Sequence, residues 1–237
     1  MITSEIESSK VSPISDHVLV LPDADNDHIH TKSGMKFWID TSFEPDKHAT
    51  VRGTVLKAPQ KLSSGFKTGV EVSEGDVVFF SYMAHQEAKN EAKTIQMIVE
   101  GEKKECMLIH YELLFLAQDG RSDQEQGIRP LNGYLLVEGL RMPQEQKIGS
   151  IYLPESSTEK YHRDYGRILH PGTPPKGEMQ EFESGQTVML AVNADIPLEN
   201  ELHQKLFPGR RVYRVDRGSV EGVVEDMRVT EAIKLEA

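Results

Sequence analysis

The chain has 237 residues, 38 acidic against 27 basic, and a formal net charge of −11. Its 38% hydrophobic and 27% charged residues suit a folded soluble chain rather than a disordered one. No apolar run approaches the ~20 residues of a membrane-spanning helix, one cysteine (Cys106) excludes an internal disulfide framework, and the acidic surplus argues against general affinity for nucleic acid.

In chain order, the start MITSEIESSK is polar and acidic, with no secretory or transit pattern, so the expected setting is the cytoplasm. Ser12–Asp23, SPISDHVLVLPD, sets a proline and a short turn before a run of Val and Leu, the signature of a strand after a fixed lead-in. His28 and His30 have i,i+2 spacing, but no cysteine lies near and the other histidines are scattered, so a solvated loop outweighs a metal site. Thr50–Pro59 holds a glycine inside a strand-like run, and Glu71–Tyr82 sets a turn glycine before an apolar strand. His85–Lys93 has short helical periodicity. Cys106 falls in an apolar strand and reads as a small core residue rather than a nucleophile.

The same blocks then return in the same order. RPLNGYLLVEGL (Arg129–Leu140), RDYGRILHPG (Arg163–Gly172) and EFESGQTVMLAV (Glu181–Val192) match the three earlier segments. Pro13 and Pro130, Gly53 and Gly166, and Gly75 and Gly185 lie 117, 113 and 110 residues apart, as two copies differing by small loop deletions would. Short runs of Val, Ile, Leu, Phe and Tyr between Gly, Pro, Asp and Ser clusters predict an all-β barrel or sandwich for each copy. The first unit is expected over residues 11–118 and the second over 127–225, with a C-terminal tail at 226–237. Between the units, Asp119–Gly127 lacks any apolar residue and reads as a linker. A second helical stretch is expected over Pro197–Leu206.

These blocks resemble the GroES family of small co-chaperonins that cap chaperonin cages. The likeness runs through IRPLNGYLLVE (Ile128–Glu138), GSIYLPESSTEKYHRDYGRILHPG (Gly149–Gly172), ESGQTVMLAV (Glu183–Val192) and GRRVYRVDRGSVEGVV (Gly209–Val224). The first half repeats it more loosely, ending in KECMLIHYELLFLA (Lys104–Ala117). The resemblance implies two tandem GroES-like β-barrels, a non-enzymatic co-chaperonin, a homo-oligomeric ring and a GroEL-type chaperonin as partner. ATP and Mg would be bound by that partner and not by this chain, which needs no cofactor or metal of its own. The segments Gln60–Val72 and Thr173–Phe182 would supply the roof, both of hairpin length and compatible with a β-turn, the second a stiff turn because of Pro174 and Pro175, and the stretch between Tyr82 and Lys104 is an insertion relative to the family pattern.

Gly149, Ile151, Tyr152 and Leu153 lie between two polar, turn-forming stretches, RMPQEQK and PESSTEKYHRD. A loop with an apolar tip suits addition of an extended segment to a partner's groove. Burying each such side chain contributes roughly 1.5–3 kcal/mol, much of it offset by ordering the loop. A ring of weak loops gains avidity of ~10²–10⁴. The resemblance implies that Ile151, Tyr152 and Leu153 are chaperonin anchors; an ordinary buried strand is the competing reading. In the first copy Phe37, Trp38 and Ile39 stand at the corresponding place, where recognition and packing against the barrel are both open. Arg210, Arg211, Arg214 and Arg217 form a basic patch that suits a subunit contact or salt bridges better than nucleic acid. Glu181 and Glu183 read as surface charge on one side of a strand. The alternative to a lid is a structural or viral assembly protein that reuses the barrel.

Overall fold

The computed structural model describes residues 6–23, 28–30, 36–38, 51–85, 92–120, 127–141, 147–148, 151–152, 161–177, 180–198 and 206–224. The protein is all-β. Its first half holds β1 (His17–Pro22), β2 (His28–His30), β3 (Lys36–Trp38), β4 (Arg52–Lys57), β5 (Val77–Phe80), β6 (Ala92–Val99), β7 (Glu102–His110) and β8 (Leu114–Gln118). The second holds β9 (Ile128–Pro130), β10 (Tyr134–Arg141), β11 (Lys147–Ile148), β12 (Ile151–Tyr152), β13 (Tyr161–His170), β14 (Thr187–Leu190), β15 (Ile196–Pro197), β16 (Val212–Asp216) and β17 (Val220–Val224).

Two antiparallel sheets result, ordered β6-β7-β1-β4-β5-β8-β9 and β15-β16-β10-β13-β14-β17. Apart from β9, the orders are the same strand for strand. The registers agree as well. β5 and β8 pair Val77 with Gln118 through Phe80 with Leu114, and β14 and β17 pair Thr187 with Val224 through Leu190 with Val220, each slipping before its last pair. The repeat read from proline and glycine spacing is therefore a repeat of hydrogen-bonded topology.

Two glycine positions show why the spacing persisted. At Gly53 a Cβ would stand 2.6 Å from the Leu21 carbonyl, and at Gly166 it would collide with Val137 Cγ1 and meet the Glu138 carbonyl at 3.1 Å. Both lie where the first strand and its partner approach, Gly53 opposite Pro22 and Gly166 opposite Gly139. Gly75 and Gly185 take φ of +88° and +90°, the left-handed turn that leads into β5 and β14.

Among the described residues neither of the two main sheets closes on itself. In the first, the far edge is taken by β9, a strand from the second half, and not by closure of the unit's own strands. The polar stretch Asp119–Gly127 thus joins two neighbouring antiparallel strands. Val18, Val20, Val55, Val78, Phe80, Ile109, Tyr111 and Leu114 form the first core, and Leu131 of the second half is buried among them. Leu135, Val137, Ile168, Val188, Tyr213 and Val215 form the second. A third cluster belongs to both halves, with Phe79, Phe115 and Leu116 packed with Ile128, Leu136, Phe207 and Val212.

The insertion after Tyr82 is resolved as the β6–β7 hairpin, turning at Glu100 and Gly101 with φ of 54° and 81°. It covers the outer face of β1, burying Leu19 against Met97, Val99 and Cys106. The helical reading of His85–Lys93 fails at Ala92 and Lys93, which begin β6, while residues 86–91 lie outside the described residues. The other helical stretch starts at Pro197 in β15 and ends at Leu206, which is helical, while residues 199–205 lie outside the described residues. Gln60–Val72 contains no strand and is an irregular loop, and the described residues of Thr173–Phe182 contain a turn at Lys176 and Gly177 and no strand. Glu181 and Glu183 are exposed in such a loop instead of on a strand. Among the described residues no helix is long and apolar enough to cross a membrane.

Candidate binding loops and the join between the repeats

The two expected anchor segments fall at equivalent places, between the first and second core strands of each sheet. In each copy this segment contains a two-stranded sheet of its own, separate from the main sheets. In the first, β2 and β3 pair His28 with Trp38, Ile29 with Phe37 and His30 with Lys36. In the second, β11 and β12 pair Lys147 with Tyr152 and Ile148 with Ile151. Phe37 and Trp38 thus sit in β3, and Ile151 and Tyr152 in β12. Ile39, Gly149 and Leu153 lie outside the described residues. A short hairpin apart from the main sheet can add edge hydrogen bonds as well as apolar side chains to a partner.

A polar network lies at the join between the repeats, and its residues were not singled out from the sequence. Arg129 Nη2 donates to Asp76 Oδ2, and Arg129 Nε donates to the Glu71 carbonyl at 3.3 Å. The Asn132 backbone N–H donates to Glu71 Oε2 at 2.8 Å. Its side-chain amide donates to the Tyr111 and Leu114 carbonyls at 3.0 and 2.7 Å. Leu131 N–H donates to the Phe115 carbonyl at 3.1 Å. Beneath this network the buried Tyr111 hydroxyl accepts from Glu71 N–H at 2.7 Å, and burial pushes its pKa well above the ordinary tyrosine value. The signal available in the sequence was the apolar pair Ile128 and Leu131 flanking Pro130, ahead of a strand that did not need them.

The arginines spread along the second half's packing surface. Arg210 Nε donates to Glu138 at 2.9 Å, and Arg211 lies over the Tyr161 and Tyr213 rings at 5.3 and 5.7 Å. Arg214 sits 4.7 Å from the Phe115 ring and 5.9 Å from Tyr134, a cation–π contact across the join. Arg217 Nη2 donates to the Pro171 carbonyl and, at 3.2 Å, to that of Gly172. These contacts hold the chain together, in keeping with the salt-bridge reading.

An open recess of about 1000 Å³ lies between Lys61–Lys67 and Pro175–Lys176. Its floor is pinned by Asp16 Oδ1, which accepts from Ser63 N–H at 2.7 Å. That bond holds the carboxyl below its ordinary pKa. Lys176 N–H donates to the Lys67 carbonyl at 2.8 Å, tying the two roof loops together. Cys106 is fully buried and its thiol pKa is raised by burial. Among the described residues no group of three or more His, Cys, Asp or Glu is placed to hold a metal ion. No protein-family model matches the chain, and no curated protein matches it.

Proposed function

We propose that this protein is a tandem co-chaperonin, two GroES-like units in one chain that join into a ring and cap an ATP-driven, GroEL-type chaperonin in the cytoplasm. The observation that carries the reading is the placement of Phe37-Trp38 and Ile151-Tyr152 in small hairpins outside the main sheets, at the same point of each repeat. Such elements offer a strand edge apart from the main sheets. Support also comes from the strand order and registers that the two sheets share. Each hairpin binds weakly alone, and the ring supplies the avidity. ATP and Mg belong to the partner, and this chain performs no chemistry.

The experiment is co-sedimentation with a bacterial-type chaperonin, with and without ATP or ADP. Nucleotide-dependent capture is expected, and replacing Ile151, Tyr152 and Leu153 together by Ser should lower it tenfold or more. Absence of capture by a chaperonin that binds an ordinary co-chaperonin refutes the lid role and leaves the structural-subunit reading. Unchanged capture by the triple variant refutes the anchor assignment. The corresponding change at Phe37, Trp38 and Ile39 reports whether the first loop engages.

A further inference from the structure

The segment that carries β11 and β12 leaves the second sheet after Arg141 and returns to it at Tyr161, two residues that face each other across β10 and β13. Three strands meet at this root. Gly139 of β10 lies against two tyrosine rings, one from β13 and one from β16: a Cβ there would stand 3.1 Å from Tyr161 Cδ1 and 2.9 Å from Tyr213 Cε2. The Arg211 guanidinium lies over both rings, 5.3 Å from the centre of Tyr161 and 5.7 Å from that of Tyr213. Its backbone is fixed as well, because the Arg211 carbonyl accepts from Gly139 N–H at 2.8 Å.

Arg211 differs from its neighbours in where its charge goes. Arg210 donates to Glu138, Arg214 lies over the Phe115 ring and Arg217 donates to the Pro171 carbonyl, all within the molecule. Arg211 is exposed, and no described residue offers its guanidinium a hydrogen-bond acceptor. A free arginine side chain samples many rotamers, and ordering it on binding costs entropy. Two rings that already hold the planar group lower that cost. Its N–H donors are left for an acceptor from outside the chain, and their fork matches a carboxylate. The described residues of the first repeat do not repeat the set. Val20 faces Met107 as Val137 faces Tyr213, which puts Pro22, Glu105 and Met107 in the places of Gly139, Arg211 and Tyr213. Guanidinium and ring are gone and the charge is reversed. Glu105 is also engaged, its Oε2 accepting from Gln96 Nε2 at 2.9 Å in the β6–β7 hairpin.

We propose that Arg211 is a specificity residue of the second docking segment, its guanidinium taking a carboxylate on the rim of the partner's groove that receives Ile151 and Tyr152. This rests on the docking role proposed for β12 and adds the chemistry of the surface that segment fits, an apolar groove with an acidic rim. The two repeats then differ in what they accept, because the same rim would meet a like charge at Glu105 of the first. The chain's net charge of −11 makes the contact selective: an acidic partner is repelled overall, so one oriented cation at the contact carries the charge match.

The test is binding of the full chain to a bacterial-type chaperonin with ADP, titrated at several salt concentrations. Arg211→Gln should weaken binding about tenfold at low salt, and its gap from the unmodified chain should narrow as salt rises. Arg211→Lys keeps the charge without the planar fork and should fall between the two. Tyr161→Leu removes one orienting ring and should weaken binding while keeping its salt dependence. Circular dichroism and melting of each variant alone separate a loss of binding from a loss of fold. Binding by Arg211→Gln equal to that of the unmodified chain, or a loss that is the same at every salt concentration, overturns the proposal and leaves the docking reading in place. No binding by the unmodified chain, to a chaperonin shown to take an ordinary co-chaperonin, overturns the docking reading and this one with it.

Discussion

Leu131 and Ile14 occupy the same place in two copies of one repeat, and their truncation to alanine should cost very different amounts. Leu131 is fully buried in the first core, against a cluster that includes Val18, Phe80 and Leu114. The turn beside it is held by three hydrogen bonds from Asn132, so the surroundings have little freedom to close on a cavity. Buried Leu-to-Ala changes span ~2–5 kcal/mol, with rigid sites in the upper part of that range, and ~3–4 kcal/mol is expected here. For a chain of this size that lowers the melting temperature by roughly 10 °C. Ile14, exposed within a single chain, should cost under ~0.5 kcal/mol at dilution. Urea unfolding followed by far-UV circular dichroism measures both, with midpoints compared at equal slope. A Leu131→Ala cost below ~1 kcal/mol, or an equal cost at the two positions in dilute protein, would refute the shared core.

Other consequences are open to simpler checks. Gly166→Ala should destabilise by roughly 1–3 kcal/mol, because the added methyl meets Val137 and the Glu138 carbonyl; Gly53→Ala should do the same, and thermal melting reads both. Arg129→Ala strips the partner from Asp76, whose side chain is only 12% exposed. A loss of about 1–2 kcal/mol is expected once solvent screening of the 39%-exposed arginine is allowed for. Arg129→Met combined with Asp76→Asn should recover most of it, and a double variant no better than the single would show that the charge was not the cause. Asp16 has its folded pKa lowered, chiefly by the Ser63 N–H, so its contribution is full at neutral pH and is lost as pH falls through and below the ordinary carboxylate range near ~4. Asp16→Asn should therefore flatten the acid limb of the stability–pH curve, and an unchanged limb would remove Asp16 from the account.

The repeat was legible because it rests on residues with few substitutes: a proline before a strand, a glycine where two strands nearly touch, a glycine with positive φ. The anchor segments were legible as apolar triplets between polar stretches, and their hairpins give Phe37, Trp38, Ile151 and Tyr152 local partners. Strand β6 could have been found, since Ile95, Met97 and Val99 alternate with Thr94 and Gln96. A helical pattern over the preceding residues obscured it. The exchange of β9 was not legible. Ile128 and Leu131 read as part of their own unit, and nothing local says that a three-residue strand completes the sheet before it. That exchange is a property of pairing over distance and not of any window of sequence.

Completion of the first sheet by β9 also sets an order of events during synthesis. Gln118 emerges from the ribosome thirteen residues ahead of Leu131, so until Leu131 follows the nascent first unit has a bare β8 edge and a gap in its core. At ~5–20 residues per second, the thirteen residues from Gln118 to Leu131 take roughly one to three seconds to add. Hairpins form in ~1–10 μs, far faster than that. The pace of translation, and not the search of the chain, therefore decides when the first half becomes finished. For that interval the nascent chain offers to its surroundings the kind of open edge that β17 has among the described residues.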